Sequence, residues 1–191
     1  MITSTPKMTY EEFLNFDDGT EYLYELENGE LIQVASESET NSRIASLLFA
    51  VFLQIGIPFY RLRMKTEIVV HSRIVGVRVP DLIVFSEELA SAMRGARRSL
   101  ITLDMPPPML VVEVVSPNQE KRDYRYKRSE YAARGIPEYW IVDPTAGKVT
   151  ILEWIEGMYE ERVFQGEEII ISPQLGTLSL TAHKILTAEV E

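Results

Sequence analysis

The sequence contains no cysteine, and histidine is nearly absent as well. Without thiols, the chain can form neither disulfides nor thiolate metal centres. His71 and His183 are the two histidines, and they lie far apart in the sequence. A histidine-rich zinc centre and a histidine-based catalytic triad are therefore not expected.

Long hydrophobic runs are missing too. No stretch approaches the roughly 18 apolar residues that a membrane-spanning helix needs. Residues 1–7 lack the apolar core of a signal peptide. We therefore expect no contact with membranes and a cytoplasmic location. The chain has 191 residues, of which 46% are hydrophobic and 25% charged. These values are typical of a globular protein, and we expect residues 1–191 to form a single domain.

Basic residues are scarce outside the middle of the chain, and the formal net charge is −10. Residues 1–60 carry a net charge of −8 and residues 135–191 a net charge of −7. Residues 61–134 carry a net charge of +5. A basic zone between acidic flanks is compatible with a cleft that faces phosphates, and equally with ordinary solvated charges.

Two acidic residues interrupt apolar segments that otherwise predict strands. Glu113 stands within the aliphatic run 109–115, which is typical of a strand buried on both faces. A carboxylate there costs several kcal/mol unless it is paired, protonated or bound to a metal. Asp81 follows Pro80 within residues 77–85, and the proline predicts an interruption or an edge at that point.

Each of these two acids has a purely structural explanation as well as a functional one. Asp81 could simply form a turn after Pro80, and Glu113 could be a buried acid paired with an arginine. If the two strands are neighbours, however, the carboxylates would converge. They could then hold Mg²⁺, which prefers hard oxygen ligands and keeps several waters.

A lysine supplies the third candidate. Residues 121–134 predict a charged helix that ends at Gly135. Tyr124, Lys127 and Tyr131 have the i, i+3, i+7 spacing of one helical stripe. If this stripe faces the sheet, Lys127 projects toward Glu113. The alternative is an i,i+4 pair with Asp123 on a solvated face.

Two metal-binding acids with a nearby lysine suit phosphodiester hydrolysis. A metal ion polarises the phosphoryl oxygen and lowers the pKa of bound water. A cation stabilises the charge that develops in the transition state or orients the attacking water.

The remaining segments predict an α/β protein with much hairpin content. A short helix follows Thr9 at residues 10–14, and Asn28-Gly29 predicts a hairpin turn. Apolar residues recur with helical spacing in residues 36–55. Residues 86–108 predict a loop or short helix across the surface. Further strands are predicted at residues 67–70, 74–85, 138–142, 149–154, 158–164 and 169–171.

An ordered series of motifs resembles a known family. Pro80-Asp81, about thirty residues before Glu113, resembles the PD-(D/E)XK nuclease superfamily. The hairpin from Tyr24-Glu25 to Gly29-Glu30 is similar to that of the Uma-two group of restriction-endonuclease-like proteins. The finer resemblance to this group comprises Glu113-Val-Val-Ser116-Pro117, Asp123, Lys127, Tyr131, Gly135 and Glu138-Tyr-Trp-Ile-Val-Asp143. It covers roughly residues 9–180.

This resemblance implies a restriction-endonuclease-like core, a mixed sheet flanked by helices. It implies Asp81 and Glu113 as ligands of Mg²⁺, or of Mn²⁺, and Lys127 as the catalytic lysine. The expected activity is endonucleolytic cleavage of DNA. A homodimer is expected because many nucleases that cut duplexes pair two active sites.

The sequence departs from the superfamily pattern at two places. The lysine expected two residues after the acid is replaced by Val115, and Lys127 on the following helix matches its displaced position in the Uma-two group. Asn41 stands where that group often has a histidine. Glu39 is the candidate for a glutamate that the superfamily often carries on this helix. Ser36-x-x-Glu39 also matches a capping box.

Further candidates have supporting roles. Asp123 and Tyr131 belong to the motif series, and Ser116 could form a turn or a hydrogen bond near the acids. Candidate phosphate contacts, which could equally be solvated, are Arg122, Arg125 and Arg128.

Two other functions stay open from sequence. The acidic total charge favours a nuclease-like module that binds nucleic acid or protein without cutting. A glycoside hydrolase would need carboxylates about 5–9.5 Å apart across a sugar-sized groove. Oxygens that share one Mg²⁺ lie roughly 3–4 Å apart.

Overall fold

The computed structural model describes residues 7–36, 38–71, 74–117 and 120–189. The expectation that residues 1–7 form no signal peptide therefore lies almost wholly outside the described residues. The same holds for residue 37 of the predicted helix 36–55. In the described part of the chain, no helix has the length and apolar character needed to cross a membrane.

Thirteen strands are assigned in the described residues, and most lie where the apolar patterns predict them. Their bounds are β1 Tyr24–Glu27, β2 Glu30–Gln33, β3 Leu62–Arg63, β4 Glu67–His71, β5 Val75–Arg78, β6 Leu82–Val84, β7 Leu100–Ile101, β8 Leu110–Val114, β9 Glu138–Asp143, β10 Lys148–Ile155, β11 Met158–Phe164, β12 Ile169–Ser172 and β13 Gly176–Thr181.

The helices are short apart from the second one. Their bounds are α1 Tyr10–Leu14, α2 Glu39–Gln54, α3 Glu87–Ala92, α4 Arg128–Ala133 and α5 Ala182–Thr187, with a 3₁₀ turn at Phe59–Arg61 and a π-helical segment at Arg122–Lys127.

The strands of the two large sheets pair as a mixed system. One sheet has the order β2-β1-β5-β4-β7, and the other has the order β11-β10-β9-β8-β6-β3. In the second sheet β8 and β9 are parallel, and the helical segment from Arg122 to Ala133 connects them. The other pairs of that sheet are antiparallel. This arrangement, a mixed sheet with flanking helices, is the predicted fold class.

Strand β8 is buried on both faces, as its aliphatic run predicts. Val112 packs in the core cluster that contains Ile44 and Leu48 of α2. Val111 packs in the opposite cluster, which contains Tyr131 of α4. Because side chains alternate along a strand, Glu113 shares the face of Val111 and points toward α4.

The chain changes sheets at Pro80. Strand β5 belongs to the five-stranded sheet, and β6 belongs to the six-stranded sheet. The strand segment 74–85 is therefore interrupted, as Pro80 predicts, because a proline cannot donate a ladder hydrogen bond at this position. Asp81 sits at the crossing point, directly before β6.

Local signals account for several element ends. Thr9 and Glu12 form a reciprocal capping box at α1. Asn28 and Gly29 both have positive φ, as a two-residue hairpin turn requires. The capping box predicted at Ser36 is wrong, because Ser38 is the N-cap of α2 and accepts from the amide of Asn41.

The C-terminal region contains more structure than its pattern predicts. Strand β12 was expected at residues 169–171, whereas β13 and α5 have no counterpart among the predictions. Strand β13 pairs with β12 across a bulge, and α5 packs its buried Ala182 and Ile185 on the cluster that includes Trp140. Their segments are too short for periodicity to separate strand from loop.

Candidate active site

The three residues predicted to form a site come together in one cavity. Asp81 precedes β6, Glu113 lies on β8, and Lys127 ends the π-helical segment. All three line a cavity of about 50 Å³. The register pairs Leu82 with Val112, so Asp81 is next in line opposite Glu113. The antiparallel pairing of β6 with β8 thus brings the two acids together.

Glu113 is held by two donors. Its Oε1 accepts from the hydroxyl of Tyr131 at 2.7 Å, and its Oε2 lies 2.7 Å from Nζ of Lys127. The residue is 3% exposed. The alternative that Glu113 is neutralised by an arginine is therefore wrong, since its cation is Lys127.

Lys127 is buried among carboxylates. Besides Glu113, its Nζ lies 3.0 Å from Asp123 Oδ1 and 3.8 Å from Glu25 Oε1. The i,i+4 pair with Asp123 exists, as one interpretation of the sequence expected. The pair is buried, however, so the accompanying expectation of a solvated face is wrong.

Asp81 anchors the same corner through both carboxylate oxygens. Its Oδ2 accepts from the amide of Val114 at 2.7 Å, and its Oδ1 lies 2.7 Å from Nζ of Lys65. Lys65 has φ +55, a left-handed conformation that costs a non-glycine residue about 1 kcal/mol or more. No pattern in the sequence predicts the contact between Lys65 and Asp81.

The electrostatic environment around Glu113 and Lys127 favours the binding of protons and cations. Burial, together with the nearby charges of Asp123, Asp81 and Glu25, raises the pKa of Glu113 to about 8 against the opposing effect of Lys127. Burial also raises the pKa of Asp123. Burial alone would lower the pKa of Lys127, but Glu113, Glu25 and Asp123 raise it well above its ordinary value. Lys127 is therefore charged at neutral pH. Its single positive charge does not neutralise all of the carboxylates that surround it.

The π-helical segment determines which side chains reach the cavity. A π-helix has wider turns than an α-helix, and such segments occur frequently at functional sites. Asp123, Lys127 and Tyr131, spaced by four, are all buried at the sheet. Tyr124 is only partly buried, and its hydroxyl donates to Asp143 Oδ2 at 3.1 Å. The predicted stripe is thus correct for Lys127 and Tyr131, whereas Tyr124 packs against the same core cluster as Tyr131 but is only partly buried.

A second buried charge cluster supports the cavity, and the sequence analysis did not identify it as part of the site. Arg78 is fully buried and pairs with Glu25, Glu27 and Glu130. Arg122 also pairs with Glu25. Burial opposes ionisation of Glu25, but Lys127, Arg78 and Arg122 together lower its pKa to about 2. The signal in the sequence was Glu25 itself, which belongs to the hairpin that resembles the Uma-two group.

Asn41 and Ser116 close another side of the cavity. The Asn41 Nδ2 donates to Ser116 Oγ at 3.1 Å and to the Val114 carbonyl at 3.2 Å. Ser116 therefore takes part in a hydrogen bond at the cavity, and its supporting role stays a prediction. Glu39 is exposed in the first turn of α2 and does not line this cavity.

The three candidate phosphate contacts have different surroundings. Arg122 lines the cavity but its guanidinium binds Glu25 and Glu27. Arg125 is exposed at a separate hollow. Arg128 pairs with Glu161 and donates to the Tyr159 carbonyl at 3.0 Å, away from the acids. The structure thus brings only the first of the three to the cavity.

Asp81 and Glu113 are the residues of the cavity that could hold a metal ion, since carboxylate oxygens are the ligands that Mg²⁺ prefers. Each oxygen of Asp81 and Glu113 has a protein donor, and each carboxylate oxygen can accept a second partner. Mg²⁺ in proteins commonly uses one or two carboxylates and keeps its waters. In the described residues, no group of three or more histidine or acidic side chains forms a ready metal cage. The fit therefore rests on the two carboxylates.

The fold is shared with a solved crystal structure. The chain is similar to a crystal structure, at 1.96 Å resolution, of a protein from Anabaena variabilis ATCC 29413 described as a putative nuclease belonging to DUF820. The TM-score is 0.75 at 20% sequence identity, and the alignment covers 95% of this chain and 98% of that chain. This likeness confirms the restriction-endonuclease-like fold. Comparison with curated proteins finds no match.

The family follows from the sequence itself. The model of the family Uma2, described as "Putative restriction endonuclease", matches residues 10–183. The matched region includes Asp81, Glu113 and Lys127. It also agrees with the motif series that resembles the Uma-two group. The chain belongs to the Uma2 family of putative restriction endonucleases.

Proposed function

We propose that this protein is a Mg²⁺-dependent endonuclease that hydrolyses phosphodiester bonds in DNA. The observation that carries the proposal is the shared cavity of Asp81, Glu113 and Lys127. In it a charged, buried lysine lies 2.7 Å from a buried carboxylate. Membership of a family of restriction endonucleases supports nucleic acid as the substrate.

Asp81 and Glu113 would hold the metal ion, and Mn²⁺ could replace Mg²⁺. When bound, the ion polarises the phosphoryl oxygen and lowers the pKa of coordinated water. The protein fixes both carboxylates through the Val114 amide and the Tyr131 hydroxyl. These donors orient the ligand oxygens before substrate arrives.

Lys127 would stabilise negative charge on the phosphoryl group in the transition state. Its ammonium group is protonated and buried, so its field is weakly screened by solvent. Asp123 holds the ammonium group at 3.0 Å and limits its movement. Asp123 therefore positions Lys127 and does not itself need to touch the substrate.

Cleavage of supercoiled plasmid DNA with Mg²⁺ or Mn²⁺ tests the proposal, with EDTA as the metal-free reference. We expect Asp81→Asn and Glu113→Gln to lower the cleavage rate by about a hundredfold or more, because each removes a ligand charge. The matched control is Asp143→Asn, which alters a buried acid that accepts from the Tyr124 hydroxyl outside the cavity. Absence of metal-dependent cleavage by the wild type, or equal cleavage by Asp81→Asn, would overturn the proposal.

Lys127 requires a separate design, because its removal leaves buried carboxylates without their cation. Lys127→Met should lose cleavage but retain Mn²⁺ binding, which calorimetry measures, while Asp81→Asn should lose both. Circular dichroism establishes whether each variant is folded. Wild-type binding of DNA with no turnover in either metal would instead favour the non-catalytic module.

The homodimer stays a prediction that light scattering can test. A dimeric mass at micromolar concentration is expected if two sites act on the two strands of a duplex. A monomeric mass with and without duplex DNA would contradict it.

A further inference from the structure

A second cavity adjoins the proposed catalytic cavity and shares Lys65 with it. Its volume is about 330 Å³, which lies within the range of small-molecule pockets. Its walls are mainly aromatic or aliphatic side chains from α1 and from the segment that enters β1. They comprise Phe13, Phe16, Tyr22, Leu23 and Tyr24.

The rings of this cavity are partly fixed and partly open. Phe16 and Tyr24 meet edge to face, with ring centroids 5.4 Å apart, and the Tyr24 hydroxyl donates to Asp18. Tyr22 is 61% exposed, and Phe16 is also exposed. Single exposed aromatic residues are common, but several of them around one hollow indicate a binding surface.

A few polar groups line the same hollow. Both carboxylate oxygens of Glu67 accept from the Arg98 guanidinium, at 2.6 and 2.7 Å. The hydroxyl of Ser99 is hydrogen-bonded to that of Thr66 at 2.8 Å. An apolar wall with a few fixed polar groups suits a flat heterocycle whose edges carry hydrogen-bonding atoms.

The hollow shares the lining residue Lys65 with the proposed catalytic cavity, where a phosphate group would bind. Lys65 links it to Asp81, with 2.7 Å between Nζ and Oδ1. Arg98 lines the hollow together with Lys65, so two basic side chains border it. A nucleic-acid backbone would run along these two groups.

We propose that this second cavity binds an unpaired nucleobase, with Tyr22 as its main stacking surface. The base would belong to the DNA strand whose phosphodiester enters the neighbouring catalytic cavity, so the inference rests on the proposed function. A base inside an intact duplex offers no free face, because its neighbours cover it. The preferred substrate is therefore DNA that is single-stranded or locally unpaired next to the cut.

Binding in EDTA tests this inference without any cleavage. The anisotropy of fluorescein-labelled single-stranded oligothymidine and of a blunt duplex is measured with wild-type protein, Tyr22→Ala and Tyr22→Phe. We expect Tyr22→Ala to weaken single-strand binding about fivefold or more and duplex binding less than about twofold. Tyr22→Phe should bind as wild type, because it keeps the aromatic face.

Tyr126→Ala is the matched control, since Tyr126 is an exposed tyrosine at a different hollow. It should leave single-strand binding unchanged. Photocrosslinking with an oligonucleotide that contains 5-iodouracil adds a direct readout, and Tyr22 should carry the adduct.

Equal single-strand binding by wild type and Tyr22→Ala, or adducts confined to other aromatic residues, overturns the inference. An equal loss for single strands and duplex overturns it too, because no base would then be recognised. The two proposals fail separately. If the wild type cleaves DNA with metal but Tyr22→Ala shows no loss specific to single-strand binding, only the nucleobase site is overturned. If Tyr22→Ala loses single-strand binding specifically but the wild type does not cleave, only the endonuclease proposal is overturned.

Discussion

Two buried charge clusters lie side by side in this protein and have opposite electrostatic character. The arginine cluster comprises Arg78, Arg122, Glu25, Glu27 and Glu130. The lysine cluster comprises Lys65, Lys127, Asp81, Glu113 and Asp123. Each has two cations and three acids. Yet the pKa of Glu25 is lowered to about 2, whereas that of Glu113 is raised to about 8.

The difference lies in the donors that reach each carboxylate. Glu25 accepts from Arg78, Arg122 and the Val79 amide. Glu113 accepts from one hydroxyl and from Lys127, whose single ammonium group also serves Asp123. Guanidinium groups offer five N–H donors in a fixed fork, whereas an ammonium group is a point charge. The arginine cluster is therefore electrostatically satisfied, and the lysine cluster can accept a further cation.

Removing the fully buried arginine should have the largest effect on stability. Arg78→Met leaves buried Glu130 without its guanidinium partner and removes one of the three cations near Glu25, and we expect a loss of about 3–5 kcal/mol in the free energy of unfolding. Urea denaturation measures it. Arg162→Met, at an exposed arginine on β11, is the control and should cost less than about 1 kcal/mol. Equal losses for both variants would contradict a structural role for the arginine cluster.

The pH dependence of stability should separate the clusters next. The pKa of Glu113 lies above its ordinary value of 4.5 in the folded protein, so folding favours its protonated form. As pH rises from 4.5 to 8 without metal, Glu113 should lower the free energy of unfolding by up to about 1.4 kcal/mol per pH unit. Glu113→Gln should remove this decline. Urea midpoints between pH 5 and 8 in EDTA measure it.

Glu25 supplies the opposite control. Its pKa lies below the ordinary value, so its stabilisation is present above pH 4.5 and is lost as pH falls toward 2. Glu25→Gln should therefore flatten the acid limb and leave the decline above pH 4.5. Parallel curves of stability against pH for wild type and Glu113→Gln would show that Glu113 is not the carboxylate whose pKa is raised on folding.

Tyr131 tests how much one hydrogen-bond donor contributes to the difference between the two clusters. Tyr131→Phe removes the hydroxyl that donates to Glu113, and we expect a loss of about 1–2 kcal/mol in the free energy of unfolding. The pKa of Glu113 should rise further, so metal-dependent cleavage should need a higher pH. Tyr139→Phe is the matched control, because its buried hydroxyl donates to the Asp123 carbonyl instead. Identical pH profiles for both variants would count against the role of Tyr131.

The sequence could predict the lysine cluster because its acids contradict their surroundings. Glu113 within an aliphatic strand, and Asp81 after a proline in another, are visible without knowledge of tertiary structure. Lys127 follows from helical spacing and from the family resemblance. The contact between Asp81 and Lys65 could not be predicted, because it depends on a short turn in which Lys65 adopts positive φ.

The arginine cluster was out of reach for a different reason. Arg78 meets Glu25 because β1 and β5 pair, and it meets Glu130 because α4 packs against that sheet. These partners are more than 50 residues apart in sequence, and nothing local to Arg78 indicates which acids it binds. The π-helical segment was hidden as well, because no local signal in its sequence separates it from an ordinary helix.

The smallest expected effect concerns an arginine that belongs to neither cluster. Arg128 was a candidate phosphate contact, but its guanidinium pairs with Glu161 and donates to the Tyr159 carbonyl on β11. Arg128→Met should therefore leave the affinity for duplex DNA within about twofold and lower the free energy of unfolding by less than about 1 kcal/mol. Anisotropy at two salt concentrations measures the affinity, with exposed Arg125→Met for comparison. An unchanged salt dependence for Arg128→Met would place its charge outside the DNA interface. A clearly smaller salt dependence would show that its ion pair opens to meet phosphate.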